Sequence, residues 1–342
     1  MHEVILDGDF AEVEADLRAL GGRRILVTGG TGFVGKWLLE SLAWARDRLG
    51  TRFDITVLTR DPERFQDEYP RLGALRFVRF ARGDVREPGL SGSFDGIVHA
   101  ATTTVATVGA SRHRDLLETI VIGGDAILGI AARSGSIPVL LTSSGAVYGA
   151  LPPTIDKVEE TFTGAPDPLR AYNAYHEGKR IAELQCALYA DEFGIEPKIA
   201  RMFAFVGPYL PLDAHFAIGN FLRDGFAGRR VEVSGDGRPL RSYLYATDLI
   251  AWLLAIFVRG TPMRAYNVGS DVPIDIAGLA TLVAERTGAP GTIVRETSDP
   301  AVPPPRYVPS SERIRAELHV TQRVGLSMAI DRTISYMKHP DV

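Results

Sequence analysis

A glycine-rich turn between an apolar run and an amphipathic segment most constrains what this chain can fold into. The apolar run Arg24-Ile25-Leu26-Val27 leads into the turn Thr28-Gly29-Gly30-Thr31-Gly32-Phe33-Val34-Gly35, after which apolar residues recur at helical spacing as far as Ala45. Strand, glycine turn and helix in this order are typical of a phosphate-binding loop. One glycine permits the tight turn, a second lets a pyrophosphate approach the backbone, and a third lets helix and strand pack closely.

The same turn supplies most of the predicted dinucleotide contacts. The N–H groups at the start of a helix face a bound phosphate, and the helix dipole favours its negative charge. The predicted contact residues are Gly29, Thr31, Gly32, Phe33, Val34 and Gly35. A glycine-rich loop that holds no ligand is the alternative interpretation.

Strand-like and helix-like segments alternate along the first two thirds of the chain. Apolar runs predict strands at 54–59, 75–80, 96–101, 138–143 and 197–205, and helical patterns lie between most of them, most clearly at 115–133 and 172–193. This alternation predicts an α/β fold with a Rossmann-type, doubly wound parallel sheet, in which the loops that follow the strands share one edge. Shorter elements after residue 205 predict a smaller C-terminal substrate-binding lobe.

We predict three regions along the chain. Residues 1–23 form an N-terminal appendage with a short amphipathic helix, residues 24–205 form mainly the dinucleotide-binding domain, and residues 206–342 form mainly the substrate-binding lobe.

Composition narrows the choice of partners. The 342 residues are 45% apolar and carry a formal net charge of −4 with acids and bases well mixed, which favours neither a nucleic-acid nor a membrane partner. The absence of an apolar run long enough to span a bilayer, and of a signal-peptide pattern, predicts a cytoplasmic protein. The single cysteine, Cys186, excludes an internal disulfide and a cysteine-cluster metal site, so no metal is predicted.

Two further segments carry groups suited to proton transfer. Tyr175 and Lys179 are four residues apart on a predicted helix and therefore share a face. A neighbouring ammonium stabilises a phenolate and lowers its pKa, so that the tyrosine can exchange a proton with an alcohol or a carbonyl. Ser143 and Ser144 follow a predicted strand, where a hydroxyl can bond a reacting oxygen or merely cap the loop.

Taken together, these motifs resemble the extended short-chain dehydrogenase/reductases, in their nucleotide-sugar epimerase and dehydratase branch. The resemblance runs from residue 24 to about 318 and also includes Gly83-Asp84-Val85, His99-Ala100-Ala101, Val147-Tyr148-Gly149, Gly235-Asp236-Gly237, Arg241 to Tyr245, and Asp248. It implies that Ser144, Tyr175 and Lys179 are catalytic, and that the last two also touch the cofactor. It further implies that Asp84 and Val85 border the adenine, that Ala100 and Ala101 line the cofactor channel, and that the substrate is bound by Thr102, Ser144, Arg241 and Arg306.

The chain departs from the family pattern at the positions that distinguish its reactions. By the resemblance, dehydratases carry an acid pair and decarboxylases a glutamate just before Val-Tyr-Gly, where this chain has Gly145 and Ala146. Two asparagines that touch the substrate are replaced by Ala204 and Phe216. The resemblance therefore favours oxidoreduction at C4 of a nucleoside-diphosphate sugar by a 4-keto-6-deoxysugar reductase. The alternatives are a 4-epimerase that retains NAD and a non-catalytic dinucleotide sensor.

Cofactor choice and assembly complete the expectations. The second predicted strand is followed by Arg60, whose guanidinium suits a 2′-phosphate, before the acid Asp61 that would favour NAD. This order favours NADP over NAD, unless Arg60 only pairs with Asp61 or Glu63. The family commonly dimerises through a four-helix bundle, so a homodimer is expected through the helices at 115–133 and 172–193.

Overall fold

Seven parallel strands form the central sheet of the computed structural model, which describes residues 8–102, 112–212, 216–297, 299 and 301–338. The strand order is β11-β6-β5-β4-β1-β2-β3, and every neighbouring pair in it is parallel. In chain order the strands are β1 (Arg24–Thr28), β2 (Asp54–Thr59), β3 (Val78–Arg82), β4 (Gly96–His99), β5 (Pro138–Ser144), β6 (Glu196–Met202), β7 (Ala204–Val206), β8 (Val231–Val233), β9 (Leu240–Arg241), β10 (Tyr243–Tyr245), β11 (Ala265–Val268), β12 (Ile274–Asp275), β13 (Thr292–Val294) and β14 (Arg306–Tyr307).

Helices cover both faces of this sheet. They are α1 (Glu14–Ala19), α2 (Phe33–Leu49), α3 (Pro62–Glu68), α4 (Pro70–Gly73), α5 (His113–Ser134), α6 (Ala174–Phe193), α7 (Ala217–Phe226), α8 (Ala246–Arg259), α9 (Ile276–Thr287), α10 (Glu312–Leu318) and α11 (Leu326–Lys338). One large apolar core joins the sheet to α1, α2 and α8, and a second joins it to α5 and α6. This arrangement confirms the predicted α/β, Rossmann-type doubly wound fold.

Three strand boundaries differ from the predictions. The third strand begins at Val78 because the backbone turns before it, with the Val78 N–H bonded to the Leu75 carbonyl oxygen. The fourth strand ends at His99, two residues earlier than predicted. The predicted sixth strand is two strands, because the chain leaves the central sheet at Phe203 and β7 pairs with β10 instead.

A smaller lobe lies beyond the sheet and has its own apolar core. It contains the pair β8–β13 and the three-stranded sheet β12-β9-β14. However, β11 and α8 also come after residue 205 and belong to the central sheet and its core. The three-part division of the chain stays a prediction, and residues 1–7 of the proposed appendage lie outside the described part. No helix in the described part is long and apolar enough to cross a membrane.

Candidate active site

The glycine turn is closed toward the sheet and open toward a cleft. Gly29 has φ +70°, and a Cβ there would lie 2.4 Å from the Ala100 carbonyl oxygen; a Cβ on Gly35 would lie 2.3 Å from Gly30. Gly32 is exposed, and the nearest atom found beside its missing Cβ in the described part of the chain is the Gly29 oxygen, at 3.3 Å. The turn therefore requires glycine on the sheet side and leaves the start of α2 bare on the cleft side, which fits a dinucleotide pyrophosphate.

The cleft extends from this turn to the smaller lobe and has a volume of about 1760 Å³. A pocket for one drug-sized ligand measures roughly 300–1,000 Å³, so the cleft is large enough for two ligands placed end to end. The predicted site residues that line it are Gly29, Gly32, Phe33, Val34, Ala100, Thr102, Ser144, Tyr175, Lys179, Arg241 and Arg306.

The remaining predicted contacts lie outside the cleft lining: Thr31, Gly35, Arg60, Asp84, Val85 and Ala101. Asp84 accepts a 2.9 Å hydrogen bond from Nε of Arg86, and this contact lowers the pKa of Asp84. Val85 is buried in the second core, where it packs against Gly123. Arg60 is exposed. The structure thus leaves their proposed cofactor contacts as predictions.

Ser144 ends β5 at the middle of the cleft. Its Oγ accepts a hydrogen bond of 3.1 Å from the Ala146 N–H and caps the short turn Gly145–Tyr148. The neighbouring Ser143 hydroxyl donates instead to the Glu183 carboxylate at 2.5 Å, and the same carboxylate accepts a 2.7 Å bond from Arg201. Because Ser143 is bonded to this half-buried ion pair, Ser144 has the hydroxyl better placed to meet a substrate.

Tyr175 and Lys179 face the cleft from α6. Burial raises the pKa of Tyr175, and its hydrogen bonding with Ser144 acts in the opposite direction. Lys179 Nζ donates to Thr102 Oγ1 at 2.8 Å and to the Thr142 carbonyl oxygen at 2.6 Å, and burial lowers its pKa to about 7. This ammonium lies 5.8 Å from the centroid of the Tyr175 ring. The three predicted catalytic residues thus line the same cleft, but burial raises the pKa of Tyr175 and the lowering expected from Lys179 is not found.

Tyr307, which the sequence did not single out, completes this group of hydroxyls. Its ring packs on Phe203 with centroids 4.6 Å apart, and its Oη lies 2.8 Å from where a Gly145 Cβ would be. Burial raises the pKa of Tyr307, and the nearby Ser144 hydroxyl acts in the opposite direction. The only sequence signal was its place next to Arg306.

Two arginines enter the cleft from the smaller lobe. Arg241 is half-buried, and burial lowers its pKa. Its Nη1 donates to the Leu240 carbonyl oxygen at 2.9 Å, and among the described residues no carboxylate forms an ion pair with it. Arg306 contacts the exposed Asp156 at 2.8 Å. An unneutralised guanidinium favours an anionic ligand, so Arg241 is the better placed of the two to bind a diphosphate.

Apolar residues line much of the cleft. They include Ala146, Leu151, Phe203, Ala204 and Phe216, of which Phe203 lies beside the turn after Ser144; His215, next to Phe216 in the sequence, lies outside the described residues. The described carboxylates in the cleft lining belong to the smaller lobe: Asp224, Glu232, Asp236 and Glu296. Glu183 lies close to Ser144 but is bonded to Ser143 and Arg201 and is not part of the described cleft lining.

Known proteins resemble this chain along most of its length. Residues 25–269 match the family model for the NAD dependent epimerase/dehydratase family. The chain is 29% identical over 319 residues to UDP-glucuronic acid decarboxylase 1 of Xenopus tropicalis, covering 92% of this chain and 72% of that protein. It is 31% identical over 263 residues to UDP-glucuronic acid decarboxylase 6 of Arabidopsis thaliana, and this match covers 77% of this chain and 74% of that protein.

Solved structures share the fold at lower identity. The dTDP-glucose 4,6-dehydratase DesIV of Streptomyces venezuelae, with NAD bound, gives a TM-score of 0.78 at 23% identity, covering 92% of this chain and 97% of its own. The UDP-glucuronic acid 4-epimerase of Bacillus cereus, in complex with UDP-glucuronic acid and NAD, gives a TM-score of 0.76 at 19% identity. The match covers 93% of this chain and 99% of the epimerase. The match over residues 25–269 and the glycine turn that opens it lead to one assignment: the chain belongs to the NAD dependent epimerase/dehydratase family of nucleotide-sugar enzymes.

Proposed function

We propose that this chain catalyses oxidoreduction at C4 of a nucleoside-diphosphate sugar, with reduction of a 4-keto-6-deoxy sugar as its preferred reaction. One observation carries the proposal: the turn after Ser144 has neither a carboxyl group nor space for one at its first position. A Cβ on Gly145 would lie 2.6 Å from the Phe203 ring and 2.8 Å from the Tyr307 oxygen, and Ala146 ends in a methyl group. In the family pattern, elimination and decarboxylation use a carboxyl residue at this turn, and this chain has none there. The two relatives named above are nevertheless decarboxylases.

The hydroxyl groups suit proton donation. Hydride transfer is the chemistry that the nicotinamide cofactor supplies when bound. Because burial raises its pKa, Tyr175 keeps its proton at neutral pH and can give it to the C4 carbonyl oxygen as C4 is reduced. Ser144 holds the same oxygen, Arg241 binds the diphosphate, and the apolar lining around Leu151 and Phe216 receives a sugar that lacks the 6-hydroxyl.

NADP is the cofactor that we propose. The Asp61 carboxylate accepts a 3.1 Å hydrogen bond from the Arg64 N–H and so caps α3. A carboxylate used in this way is less free to bond an adenosine 2′-hydroxyl, whereas Arg60 is exposed immediately before it. The site also suits the family's NAD, and the choice depends on this one pair of residues.

A substrate panel tests the proposed reaction. The purified protein is mixed with NADPH or NADH and a nucleoside-diphosphate 4-keto-6-deoxyhexose, and cofactor oxidation is followed by absorbance at 340 nm. Parallel samples contain a nucleoside-diphosphate hexose or the corresponding uronic acid with the oxidised cofactor. Consumption of reduced cofactor with formation of the 4-hydroxyl product is expected, and release of carbon dioxide from the uronic acid would refute the proposal.

Two alternatives have distinct outcomes in the same panel. The same hydroxyl groups can serve a 4-epimerase, which would interconvert the two hexose epimers while keeping its cofactor bound through gel filtration. A folded protein that binds cofactor but converts none of the sugars would instead favour a dinucleotide sensor.

We also propose that the chain is a homodimer. Apolar side chains are exposed on α5 and α6, including Ile122, Leu184 and Leu188. These helices pack together on one face of the sheet, and a second copy could cover that pair with the same surface.

A further inference from the structure

We propose that Tyr307 is a positioning residue, whose hydroxyl donates a hydrogen bond to Ser144 Oγ and thereby directs the Ser144 proton toward Tyr175 and the reacting oxygen. The identity of the reacting oxygen rests on the proposed function. The proposed hydrogen bonds among Tyr307, Ser144 and Tyr175 involve only protein side chains, so they can be tested without a substrate.

The position of Tyr307 depends on a strand pairing in the smaller lobe. β14 pairs with β9, and Tyr307 lies opposite Arg241 in the register. The Arg241 guanidinium lies 5.8 Å from the centroid of the Tyr307 ring, and the ring packs against the small apolar cluster that contains Phe203. These contacts aim the hydroxyl at the turn that begins with Ser144.

Glycine at position 145 is what allows this approach. The Tyr307 oxygen lies 2.8 Å from the site of a Gly145 Cβ, closer than real Cβ contacts permit. Any larger residue would displace either the tyrosine hydroxyl or the Phe203 ring, which lies at 2.6 Å from the same point. The absence of a side chain at 145 thus both removes the family's carboxyl position and admits a phenol hydroxyl from the smaller lobe.

The number of hydrogen bonds that Ser144 can form limits how Tyr307, Ser144 and Tyr175 can be linked. A serine hydroxyl has one proton and two acceptor lone pairs. The Ala146 N–H occupies one lone pair at 3.1 Å, which leaves one acceptor and one donor for two phenol hydroxyls. In the proposed arrangement both phenol hydroxyls bond Ser144, so one tyrosine donates to it and the other accepts from it. Burial keeps Tyr307 protonated, and it has no place in proton transfer to the sugar, so it takes the donor role.

This order favours the ionised form of Tyr175. When Tyr175 gives its proton to the substrate oxygen, the resulting phenolate accepts the Ser144 proton, while Tyr307 still donates to Ser144 Oγ. One O–H bond breaks at Tyr175 and one forms on the sugar; Ser144 and Tyr307 keep their protons. Without Tyr307, Ser144 can accept from Tyr175 instead, which stabilises the neutral tyrosine and raises its pKa.

A tyrosine titration by NMR tests the order of the bonds. The protein carries ¹³Cζ-labelled tyrosine, and the Tyr175 signal is assigned by its loss in Tyr175→Phe. Tyr307→Phe keeps the ring and removes only the hydroxyl. Tyr148→Phe is the matched control, since that buried hydroxyl donates to Asn267 Oδ1 at 2.7 Å and accepts from Arg201 at 3.1 Å. We expect the pKa of Tyr175 to rise by about one unit in Tyr307→Phe and to stay unchanged in Tyr148→Phe.

A double-mutant cycle tests whether Tyr307 acts through Ser144. The rise in the Tyr175 pKa should be absent when Tyr307→Phe is made in a Ser144→Ala protein. With the 4-keto sugar, Tyr307→Phe should lower kcat about tenfold, as expected for one hydrogen bond to a charged group, with KM nearly unchanged. An unchanged Tyr175 pKa, an equal rise in Tyr148→Phe, or the same rise in the Ser144→Ala background would overturn the proposal. If wild type converts none of the sugars, the proposed function fails, and the titration still decides the role of Tyr307.

Discussion

Lys179 donates a hydrogen bond to the backbone carbonyl oxygen of Thr142 at 2.6 Å. Thr142 lies on β5 two residues before Ser144, and Lys179 lies on α6 one turn after Tyr175. The contact therefore fixes the helix that carries the tyrosine against the strand that carries the serine. It also keeps an ammonium in a buried position, 2% exposed, where burial lowers its pKa to about 7.

The buried ammonium predicts a pH-dependent stability. Between pH 7 and about 10, the unfolded chain binds a proton at Lys179 that the folded chain releases, so the free energy of unfolding should rise with pH in this window. Lys179→Met removes the titration. We expect the stability of wild type relative to Lys179→Met to increase by about 1–3 kcal/mol between pH 7 and pH 9, measured by urea denaturation without cofactor.

An exposed lysine provides the control for this measurement. Lys157 lies at the surface near Asp271, and Lys157→Met should show no comparable change relative to wild type over the same pH range. A constant difference between wild type and Lys179→Met would show that Lys179 keeps its proton to high pH when buried.

Tyr175→Phe should separate catalysis from binding. The ring remains while the proton donor is lost, so cofactor affinity and thermal stability should stay close to wild type. Loss of general acid catalysis should reduce kcat by about 10²–10⁴-fold. The reaction is followed at 340 nm with saturating cofactor and 4-keto sugar, and cofactor binding is measured separately. A phenylalanine variant with wild-type kcat would exclude Tyr175 as the proton donor.

Local sequence was sufficient to predict the parts of the site whose residues are close together in the chain. The glycine turn spans a single strand–helix junction, and Tyr175 and Lys179 share one helix face, so spacing alone brings their groups together. The parallel sheet then predicts that Ser144 reaches the same edge, because loops that follow parallel strands meet there. These placements needed no knowledge of long-range packing.

Tyr307 shows why the remainder could not be predicted. It approaches Gly145 because β14 pairs with β9, and a strand of two residues leaves no periodic pattern in the sequence. The break at Phe203 escaped prediction for a related reason: residues 198–205 contain no glycine or proline that would mark a turn, and only the pairing of β7 with β10 divides the segment. Both features depend on contacts between distant parts of the chain.

Leu188→Arg should dissociate the proposed dimer. Leu184 and Leu188 are 59% and 58% exposed and lie one turn apart on α6, so they present one apolar face. A buried arginine without a partner charge is costly at an interface. By analytical ultracentrifugation, wild type should sediment as a dimer and Leu188→Arg as a monomer. Val272→Arg, at an exposed apolar residue of another segment, should remain dimeric. A wild-type monomer at all concentrations would contradict the proposed interface.

Arg60→Ala should reveal which dinucleotide the chain prefers. Arg60 follows β2 and is exposed, and Asp61 is engaged at the start of α3 through the Arg64 N–H. If Arg60 bonds the 2′-phosphate, its loss should weaken NADP about 10- to 100-fold, as expected for a hydrogen bond between charged groups, and change NAD little. Dissociation constants for both cofactors are measured by quenching of tryptophan fluorescence.

Asp61→Asn tests the alternative, in which Asp61 bonds the adenosine ribose of NAD. Asparagine keeps an oxygen that can cap α3 and removes the negative charge, so it should leave NADP binding equal or slightly stronger. A selective loss of NAD in Asp61→Asn would mean that this carboxylate bonds the adenosine ribose, because only NAD presents a 2′-hydroxyl there. That result, a wild-type preference for NAD, or an equal loss of both cofactors in Arg60→Ala would each show that Arg60 does not bind a 2′-phosphate.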